Sequence, residues 1–523
     1  MAFSHLQFKG SNEEMAFAHG AATRKASAQG TISFFGEFFE HLFLFSATKS
    51  YQKWFRKKCL RLVKELIETP YLKKIPSDYK KTLDAFSEGC EISKDIAYQA
   101  CVMPDVNMYL LGQSVRFRRK IVPTSGGCTA YIHQQPNGSW IHARNLDFPG
   151  GHSWLHHPSI IEYTPKHAQP YVTITSLGIE SGGITAMNAS GITLSLNMNF
   201  STRCSLSGTP ITLIGTEAIQ YARNIQEAIE IIWNHKVGSG WTFLVGSAKE
   251  QKACLIEMDA NEKRILWMTS EYLLRTNHFN HESLKKYEYW TSYRRYLDSH
   301  RRFNITKMHI ENGDSAEVAL ADPKGASQVH TLTSVVMDPK NSFICAAFGE
   351  SPVAENNFRG ISIFKKVIEN IAPNKSIESN SLRARQSFAK AYESYFPFNQ
   401  RKKCESHLER AIVLDSAHWE YPFLNGVLLL QRGSPHTAIG YFLEALKKNG
   451  DEDSFALRHL FVGRSLDLLD RRTEALSYYR KVLEEPKWNS RHFEAQKNIN
   501  KPWTKKQSEK LFIDFTISDV ILL

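Results

Sequence analysis

The spacing of apolar and polar residues divides the chain into regions with different predicted secondary structure. Residues 1 to about 125 are predicted mainly as helix. From 128 to about 350 the chain changes to short strands separated by turn residues, for example at 171–177, 184–187, 192–197, 242–245, 253–258 and 342–348. Between these strands, residues 216–224 and 225–235 have helical spacing. This order of elements predicts a body of mixed α and β structure.

The last third of the chain is predicted to be helical and contains an internal repeat. One copy places Trp419, Gly426, Leu429, Ala438, Phe442 and Ala445 at positions 1, 8, 11, 20, 24 and 27. The last five positions recur 37 residues later as Gly463, Leu466, Ala475, Tyr479 and Val482, and a weaker copy runs through Tyr392, Cys404, Leu408 and Ala411. The pattern resembles tetratricopeptide repeats, in which small residues let paired helices pack closely, and a plain helical bundle is the alternative. Such repeats commonly bind peptides, so a protein or peptide partner on them is left open.

These changes of pattern also place the segment boundaries. Four segments are predicted: a helical, propeptide-like segment at 1–127, a body at 128–373, helical repeats at 382–490 and a C-terminal tail at 491–523. The stretch at 374–381 is polar and rich in serine, as linkers between domains tend to be. The tail contains the apolar run 511–515, which is expected to dock on the body or on a partner.

Cys128 is the residue whose surroundings carry the clearest chemical information. It follows Gly126 and Gly127 and precedes strand-forming residues, a context that suits a self-cleaving N-terminal nucleophile. If the bond between Gly127 and Cys128 is cut, Cys128 gains a free α-amino group next to its own thiol. That amine can serve as the general base for the thiol.

A β-hairpin is predicted directly after Cys128. The dipeptide Asn137-Gly138 is a strong signal for a two-residue turn, and residues 131–133 and 140–142 are predicted as its two strands. With this turn, the numbers of paired residues add up to 275.

The predicted register has consequences for the residues around Cys128. It places Asp147 opposite Cys128, with Cβ atoms about 5 Å apart. By strict alternation Arg144 faces the other way, so the strand has to bulge or end near Asn145 if both side chains serve one site. The sequence does not decide between these possibilities.

The segment around Cys128 resembles the linear-amide, N-terminal cysteine hydrolases. That group includes isopenicillin N acyltransferase, choloylglycine hydrolase, acid ceramidase and N-acylethanolamine acid amidase. Gly-Cys-Thr-Ala-Tyr, Pro-Asn-Gly and Asn-Leu-Asp-Phe look most like the acyltransferase branch, whereas Arg144 with Asp147 looks like the bile-salt and ceramide branches. Further similar segments lie at 6–20, 275–279 and 330–337, so the resemblance covers roughly residues 5 to 350.

The resemblance implies a fold, an activity and a set of site residues. The implied fold class is α+β: a four-layer αββα N-terminal-nucleophile (Ntn) hydrolase sandwich, followed by the all-α tetratricopeptide-like domain. The implied activity is cleavage of a small-molecule linear N-acyl amide through a thioester, by an amidase or an acyltransferase, without a cofactor or a metal. The site residues are Cys128 as nucleophile, Asp147 for the α-ammonium, Arg144 for the thiolate and Asn277 for the oxyanion, with Asn197 or Asn199 facing the substrate.

Composition narrows the classes of protein further. The chain has 523 residues, enough for two or three domains, and a net charge of +12 from dispersed basic residues. Such a charge permits nucleic-acid binding, but no recognised nucleic-acid module accompanies it, so no such partner is expected. No run of 18 apolar residues occurs and the start lacks the layout of a signal peptide, so the expected location is the cytoplasm, with export by another route left open. The eight cysteines form no Cys-x-x-Cys pair, so neither a zinc site nor a dense disulfide framework is predicted.

Two short clusters of residues, and the function of the whole chain, can each be interpreted in more than one way. His152, His156 and His157 have a spacing that can bind a metal but is more typical of a solvated loop. The aromatic stretch 34–45 suits a cover on an acyl pocket, contact with a membrane surface, or a core helix. For the whole chain, the alternative to an enzyme is a non-catalytic, repeat-bearing adaptor that retains a degenerate hydrolase body.

Overall fold

The structure is a computed structural model, and contacts between residues divide it into two units. It describes residues 3–31, 54, 57–58, 61–62, 64–116, 126–134, 138, 140–148, 152–179, 182–364, 370–371, 379–396, 398–485 and 491–522. The aromatic stretch 34–45, the turn residue Asn137 and linker residues 374–378 lie outside these residues. The first unit, here called the body, comprises Met1–Trp290 and Ser299–Ser376. The second, here called the helical unit, comprises Thr291–Asp298 and Ile377–Leu523.

The described strands of the body form two sheets. They are β1 (Ser4–Gly10), β2 (Gly127–Gln134), β3 (Trp140–Asp147), β4 (Pro158–Pro165), β5 (Tyr171–Ser176), β6 (Thr185–Asn188), β7 (Ile192–Met198), β8 (Trp241–Ser247), β9 (Lys252–Met258), β10 (Lys263–Trp267), β11 (Tyr272–Arg275), β12 (Thr331–Asp338), β13 (Phe343–Ala347), β14 (Phe358–Ser362) and β15 (Asn370–Ile371). One sheet has the order β1-β4-β5-β6-β7-β8-β9-β10, and the other has the order β11-β2-β3-β12-β13-β14-β15. Strand β1 pairs in parallel with β4, so the region predicted as mainly helical contributes an edge strand.

The described helices of the body precede and separate these strands along the chain. They are α1 (Asn12–Thr31), α2 (Thr69–Leu72), α3 (Ser77–Cys90), α4 (Lys94–Arg116), α5 (His152–His156), α6 (Ile211–Tyr221), α7 (Ile225–Asn234), α8 (Glu282–Lys285), α9 (Tyr293–Glu311), whose first residues belong to the helical unit, and α10 (Ala316–Ala321). A π-helical turn spans Lys64–Glu68 and a 3-10 turn spans Val353–Glu355. None of the described helices is long and apolar enough to cross a membrane.

Buried apolar side chains hold the layers of the body together. Ile160 and Ile174 of one sheet share a buried cluster with Val335 and Ile344 of the other, so the sheets pack face to face. Side chains of α6 and α7, among them Ile214 and Ile229, pack with Leu194 and Phe243 on the outer face of the first sheet. Outside the second sheet, the Asn145 side chain donates to the Leu320 carbonyl of α10. The predicted mixed α and β body is confirmed.

The predicted register of the hairpin after Cys128 is wrong by one residue. Cys128 lies opposite Leu146, and Asp147 lies opposite Gly127, so the numbers of paired residues add up to 274. Gln134 pairs with Trp140, which leaves a five-residue connection in place of a two-residue turn. Burial provides the physical reason.

Trp140 and Ile132 are buried in one cluster with Leu244 and Leu255 of the facing sheet, which requires even-numbered residues of β2 and β3 to share a face. Burying a large apolar side chain contributes about 1.5–3 kcal/mol, more than the choice of turn. Because a one-residue shift reverses the faces, Arg144 and Cys128 now point to the same side without a bulge between them.

The helical unit consists of helices that pack on their neighbours in the chain. They are α11 (Asn380–Tyr395), α12 (Arg401–Leu414), α13 (Glu420–Arg432), α14 (Pro435–Leu446), α15 (Glu452–Leu468), α16 (Arg472–Glu484), α17 (Arg491–Asn500) and α18 (Lys505–Ser508). A hairpin of β16 (Leu511–Asp514) and β17 (Asp519–Leu522) follows. The Phe515 ring of this hairpin packs on Phe388, and the Tyr395 hydroxyl accepts from the Ile513 amide, so the tail docks on its own unit.

Two helix contacts recur at the interval that the sequence predicts. A Cβ on Gly426 would lie 2.7 Å from the ring of Phe442, and a Cβ on Gly463 would lie 2.5 Å from the ring of Tyr479. Each member of the second pair follows its counterpart by 37 residues. Glycine therefore lets the helices of both pairs approach closely. Membership in the tetratricopeptide class stays a prediction.

Gly463→Ala is expected to destabilise the helical unit, whereas Gly440→Ala is expected to stabilise it slightly. The added methyl group at Gly463 would overlap the buried Tyr479 ring, and overpacking costs about 1–3 kcal/mol. Gly440 lies exposed in α14 with nothing within 4 Å of its Cβ position, so alanine gains about 0.5–1 kcal/mol of helix propensity. Urea unfolding followed by circular dichroism measures both changes. Equal midpoints for the two variants would contradict the close packing at Gly463.

Candidate active site

Cys128 is buried near the start of β2, with its thiol facing the other sheet. Its Sγ lies 3.9 Å from the Leu196 carbonyl oxygen of β7. Arg144 points to the same side, and its Nη2 lies 3.4 Å from the Cys128 Sγ. Arg144 also donates to the Leu196 carbonyl and to the Thr185 hydroxyl, which fixes the position of its guanidinium.

Asn277 reaches Cys128 from the neighbouring strand. Arg275 pairs with Ala130, so the same antiparallel register carried two residues further brings Asn277 opposite Cys128. The Asn277 Oδ1 accepts a hydrogen bond from the Cys128 backbone amide at 3.0 Å, and its Nδ2 donates to the Met198 carbonyl at 3.0 Å. The side chain therefore contacts the nitrogen of the Gly127–Cys128 peptide bond.

Asn197 in β7 and Asn199 directly after it, the two asparagines predicted to face the substrate, both contact the segment that carries Asn277. The Asn197 Nδ2 donates to the Thr276 carbonyl at 3.0 Å, and the Asn199 Nδ2 donates to the Asn277 carbonyl at 3.3 Å. Asn199 is held in turn by the Thr242 hydroxyl, which donates to its Oδ1 at 2.7 Å. The sequence left open which of the two faces the site. In the structure, both hold main-chain carbonyls of this segment.

Asp147 lies beside the peptide bond between Gly127 and Cys128, next to Gly127. A Cβ on Gly127 would be 3.0 Å from the Asp147 Oδ2, so the carboxylate approaches the α-carbon of this glycine closely. The Asp147 Oδ1 accepts from the Thr331 hydroxyl at 2.6 Å. A bulge in the pairing of β12 with β3 falls at Thr331 and Thr333, next to Asp147. The irregularity of the sheet is therefore next to Asp147, and the bulge or strand end near Asn145 that the predicted register would have required is not needed.

Arg302 is a site residue that the sequence analysis missed. Its Nη1 donates to the Cys128 carbonyl at 2.9 Å, and its Nη2 donates to the Asn277 Oδ1 at 2.7 Å. Because Arg302 and the Cys128 amide both donate to this oxygen, the amide nitrogen of Asn277 is turned the other way. Arg302 lies in α9, whose sequence is so rich in charge that it is typical of a solvated helix, and its spacing carries no signal for a buried arginine.

A buried histidine on the same side of β3 is not placed to act as the base for Cys128. Burial, together with the Arg144 charge, lowers the pKa of His142 to about 3. Its two ring nitrogens lie 2.9 Å from the hydroxyls of Thr193 and Ser195. His142 is therefore neutral at ordinary pH and already hydrogen-bonded at both nitrogens. Within the described part of the chain, His, Cys, Asp and Glu side chains also form no group of three that could hold a metal ion.

Comparison with known proteins adds a family match. The model of the family described as acyl-coenzyme A:6-aminopenicillanic acid acyl-transferase matches residues 133–351. The match supports the expectation that this chain is an enzyme acting on amides. It covers less than half of the chain, begins after Cys128 and includes Arg144, Asp147 and Asn277. It agrees with the resemblance to the Ntn hydrolase group, as a hydrolase or an acyltransferase.

Two individual proteins also resemble this chain, both at low sequence identity. An uncharacterized protein of Archaeoglobus fulgidus is 25% identical over 133 residues, which are 23% of this chain and 22% of the relative. The chain thus spans about a fifth of the length of that relative. A solved structure, the Caenorhabditis elegans ortholog of N-acylethanolamine-hydrolyzing acid amidase, matches with a TM-score of 0.32 and 16% identity over 40% of this chain and 93% of that chain.

Proposed function

We propose that this protein is a self-cleaving cysteine amidase or acyltransferase that acts on a linear N-acyl amide through a thioester on Cys128. The observation that carries the proposal is the contact of the Cys128 amide nitrogen with Asn277, on a residue whose thiol lies beside Arg144. The group that cleavage would convert into the general base is thus already held in place. The family match supports the reaction class.

In the proposed cleavage, the Cys128 thiol attacks the carbonyl carbon of Gly127. The bond to the Cys128 nitrogen breaks, the nitrogen takes a proton, and the Gly127 carbonyl becomes a thioester. Water then hydrolyses the thioester and leaves a free thiol and a free α-amine on Cys128. Asp147 lies on the Gly127 side of this bond, where its carboxylate would stabilise the new ammonium.

In the proposed turnover, the α-amine takes the thiol proton and the thiolate attacks the amide carbonyl of the substrate. The Nδ2 of Asn277 carries two hydrogens and Met198 occupies one, so the other can donate to the oxyanion. The α-ammonium then protonates the leaving amine, and an acyl thioester remains on Cys128. Water as acceptor completes hydrolysis, whereas an amine completes acyl transfer. Asn197 and Asn199 would support Asn277 through its segment.

The alternative, a non-catalytic adaptor, is less consistent with the geometry. An adaptor has no need to hold a buried thiol, a guanidinium and an asparagine amide around one peptide bond. Arg144 and Arg302 are each less than 2% exposed and both contact Cys128, so two cations are withdrawn from water around one cysteine, which costs free energy. Two buried positive charges next to Cys128 are therefore more consistent with a catalytic site than with an adaptor.

Trapping the acyl intermediate tests the proposal. The purified chain is incubated with fluorogenic N-acyl amides of short and long acyl chains, and the released amine is followed with time. We expect the acyl mass to appear on the fragment that begins with Cys128 and to be removed by hydroxylamine. Cys128→Ala should lower turnover by about 10⁴-fold or more. No acyl adduct, or equal turnover in the alanine variant, would refute the thioester. Added amines then separate acyl transfer from hydrolysis.

A further inference from the structure

Asn277 lies two residues beyond the end of strand β11, where side chains take over from the sheet in holding the backbone. The pairing of β11 with β2 ends at Arg275, opposite Ala130. Buried backbone amides and carbonyls past the end of a strand need partners from elsewhere. Asn197 and Asn199 hold two carbonyls of this segment, as described above. The amides that follow Asn277 require acceptors in the same way.

Two buried carboxylates accept three consecutive backbone amides in the turn that follows the site asparagine. The Glu257 Oε1 accepts from the Asn280 amide at 2.7 Å, and its Oε2 accepts from the His281 amide at 2.9 Å. The Glu288 Oε1 accepts from the Phe279 amide at 2.6 Å. Hydrogen bonds to an ionised acceptor are roughly twice as strong as those between neutral groups. Carboxylates therefore fix this turn where no strand pairing of β11 continues.

Glu257 also contacts the residue that ends β11. The Arg275 Nη1 lies 3.1 Å from the Glu257 Oε1, and both side chains are fully buried. Glu257 belongs to β9, which lies between β8 and β10 in its sheet, so its backbone is paired on both sides. This one carboxylate thus contacts the chain two residues before Asn277 and again three and four residues after it. All of these contacts lie within the body.

We propose that Glu257 is a positioning residue for Asn277, because it fixes the chain on both sides of the asparagine and so sets the direction of its side-chain amide. The inference rests on the proposed function for its catalytic consequence. In that function the Asn277 amide has to face the oxyanion, and a misplacement of about 1 Å can cost about 10²-fold in rate. Glu257 acts through the segment and is not itself a catalytic residue.

Hydrogen exchange tests the positioning without any requirement for activity. Glu257→Gln, made in the full chain with Cys128→Ala, keeps the size of the side chain but replaces one acceptor by a donor. It is expected to speed exchange of the residue-128 amide roughly tenfold or more, because Asn277 holds that amide. Fragmentation of the deuterated chain in the mass spectrometer resolves this amide from its neighbours. Acceleration confined to residues 279–281 would show a local role and overturn the positioning.

Asp259→Asn is the matched control for this variant. Asp259 is 2% exposed and also accepts from an arginine, Arg203, and from two backbone amides, those of Asn261 and Glu262. Its loss removes the same kinds of hydrogen bond from the turn between β9 and β10. The control should leave exchange of the residue-128 amide unchanged. Equal acceleration in the two variants would mean general loosening of the body and would overturn the proposal.

Kinetics tests the consequence at the site. Per cleaved chain, Glu257→Gln is expected to lower kcat about tenfold to a hundredfold with little change in KM, because a misplaced Asn277 weakens the transition state more than the bound substrate. Asp259→Asn should keep the wild-type kcat. If Glu257→Gln does not fold, Glu257→Gln/Arg275→Met replaces it in both experiments, since neither charge of the buried pair remains. Unchanged kcat with accelerated exchange at residue 128 overturns the positioning role. Absence of turnover in the wild-type chain refutes only the proposed function.

Discussion

The wild-type chain is expected to separate between Gly127 and Cys128 into fragments of 127 and 396 residues, whereas Cys128→Ala remains one chain of 523 residues. The thiol is both the attacking group and the source of the free α-amine, so no other residue can replace it in this scheme. Asn277 and Arg302 hold the amide nitrogen and the carbonyl of Cys128, which fixes the backbone of the cysteine next to the bond that breaks. Intact-mass measurement of freshly purified protein gives the answer directly.

The two fragments are expected to stay together after cleavage. Strand β1 pairs along its whole length with β4, and His19 of α1 is buried against Tyr163. The Asp105 carboxylate of α4 accepts from the Ile211 amide and the Trp241 indole, so three elements of the first fragment are fixed to the second. Native mass spectrometry should therefore show one particle that contains both fragments. Full activity in a chain that is entirely uncut would contradict the N-terminal-nucleophile mechanism.

Asn277→Ala is expected to lower kcat/KM about 10²–10³-fold and to slow self-cleavage. The variant removes the acceptor for the Cys128 amide and the donor proposed for the oxyanion, and loss of one such donor has a cost of this size. Asn277→Asp separates the two roles. It keeps acceptors for Arg302 and the Cys128 amide but has no N–H group, so turnover should fall about as far as in the alanine variant.

The control for these variants is Asn261→Ala, in an exposed turn between β9 and β10. It should leave turnover and cleavage unchanged. Intact-mass time courses follow cleavage, and a fluorogenic amide assay on fully cleaved protein follows turnover. Near wild-type turnover in Asn277→Asp would remove the oxyanion role from Asn277 and leave it as a residue that holds the peptide bond.

The sequence by itself determined which residues to expect together at the candidate site. A cysteine after two glycines, with an arginine, an aspartate and a later asparagine in a fixed order, predicted Cys128, Arg144, Asp147 and Asn277, and the structure brings all four to one end of β2. Cys128, Arg144 and Asp147 lie within 20 residues of one another on the paired strands β2 and β3, whereas Asn277, directly after β11, was predicted from the family resemblance. The mixed α and β body and the 37-residue helix contacts followed from pattern in the same way.

Tertiary structure alone decided the register of the hairpin formed by β2 and β3 and the partners of the buried arginines of α9. The favourable Asn-Gly turn predicted the wrong pairing because burial of Trp140 in the sandwich core contributes more free energy than local turn preference. A charged helix such as α9 has the same pattern whether water or buried carboxylates satisfy its arginines. Only the distant partners, Asn277 for Arg302 and Asp514 for Arg295, show which applies, and no local spacing encodes contacts between residues so far apart in the chain.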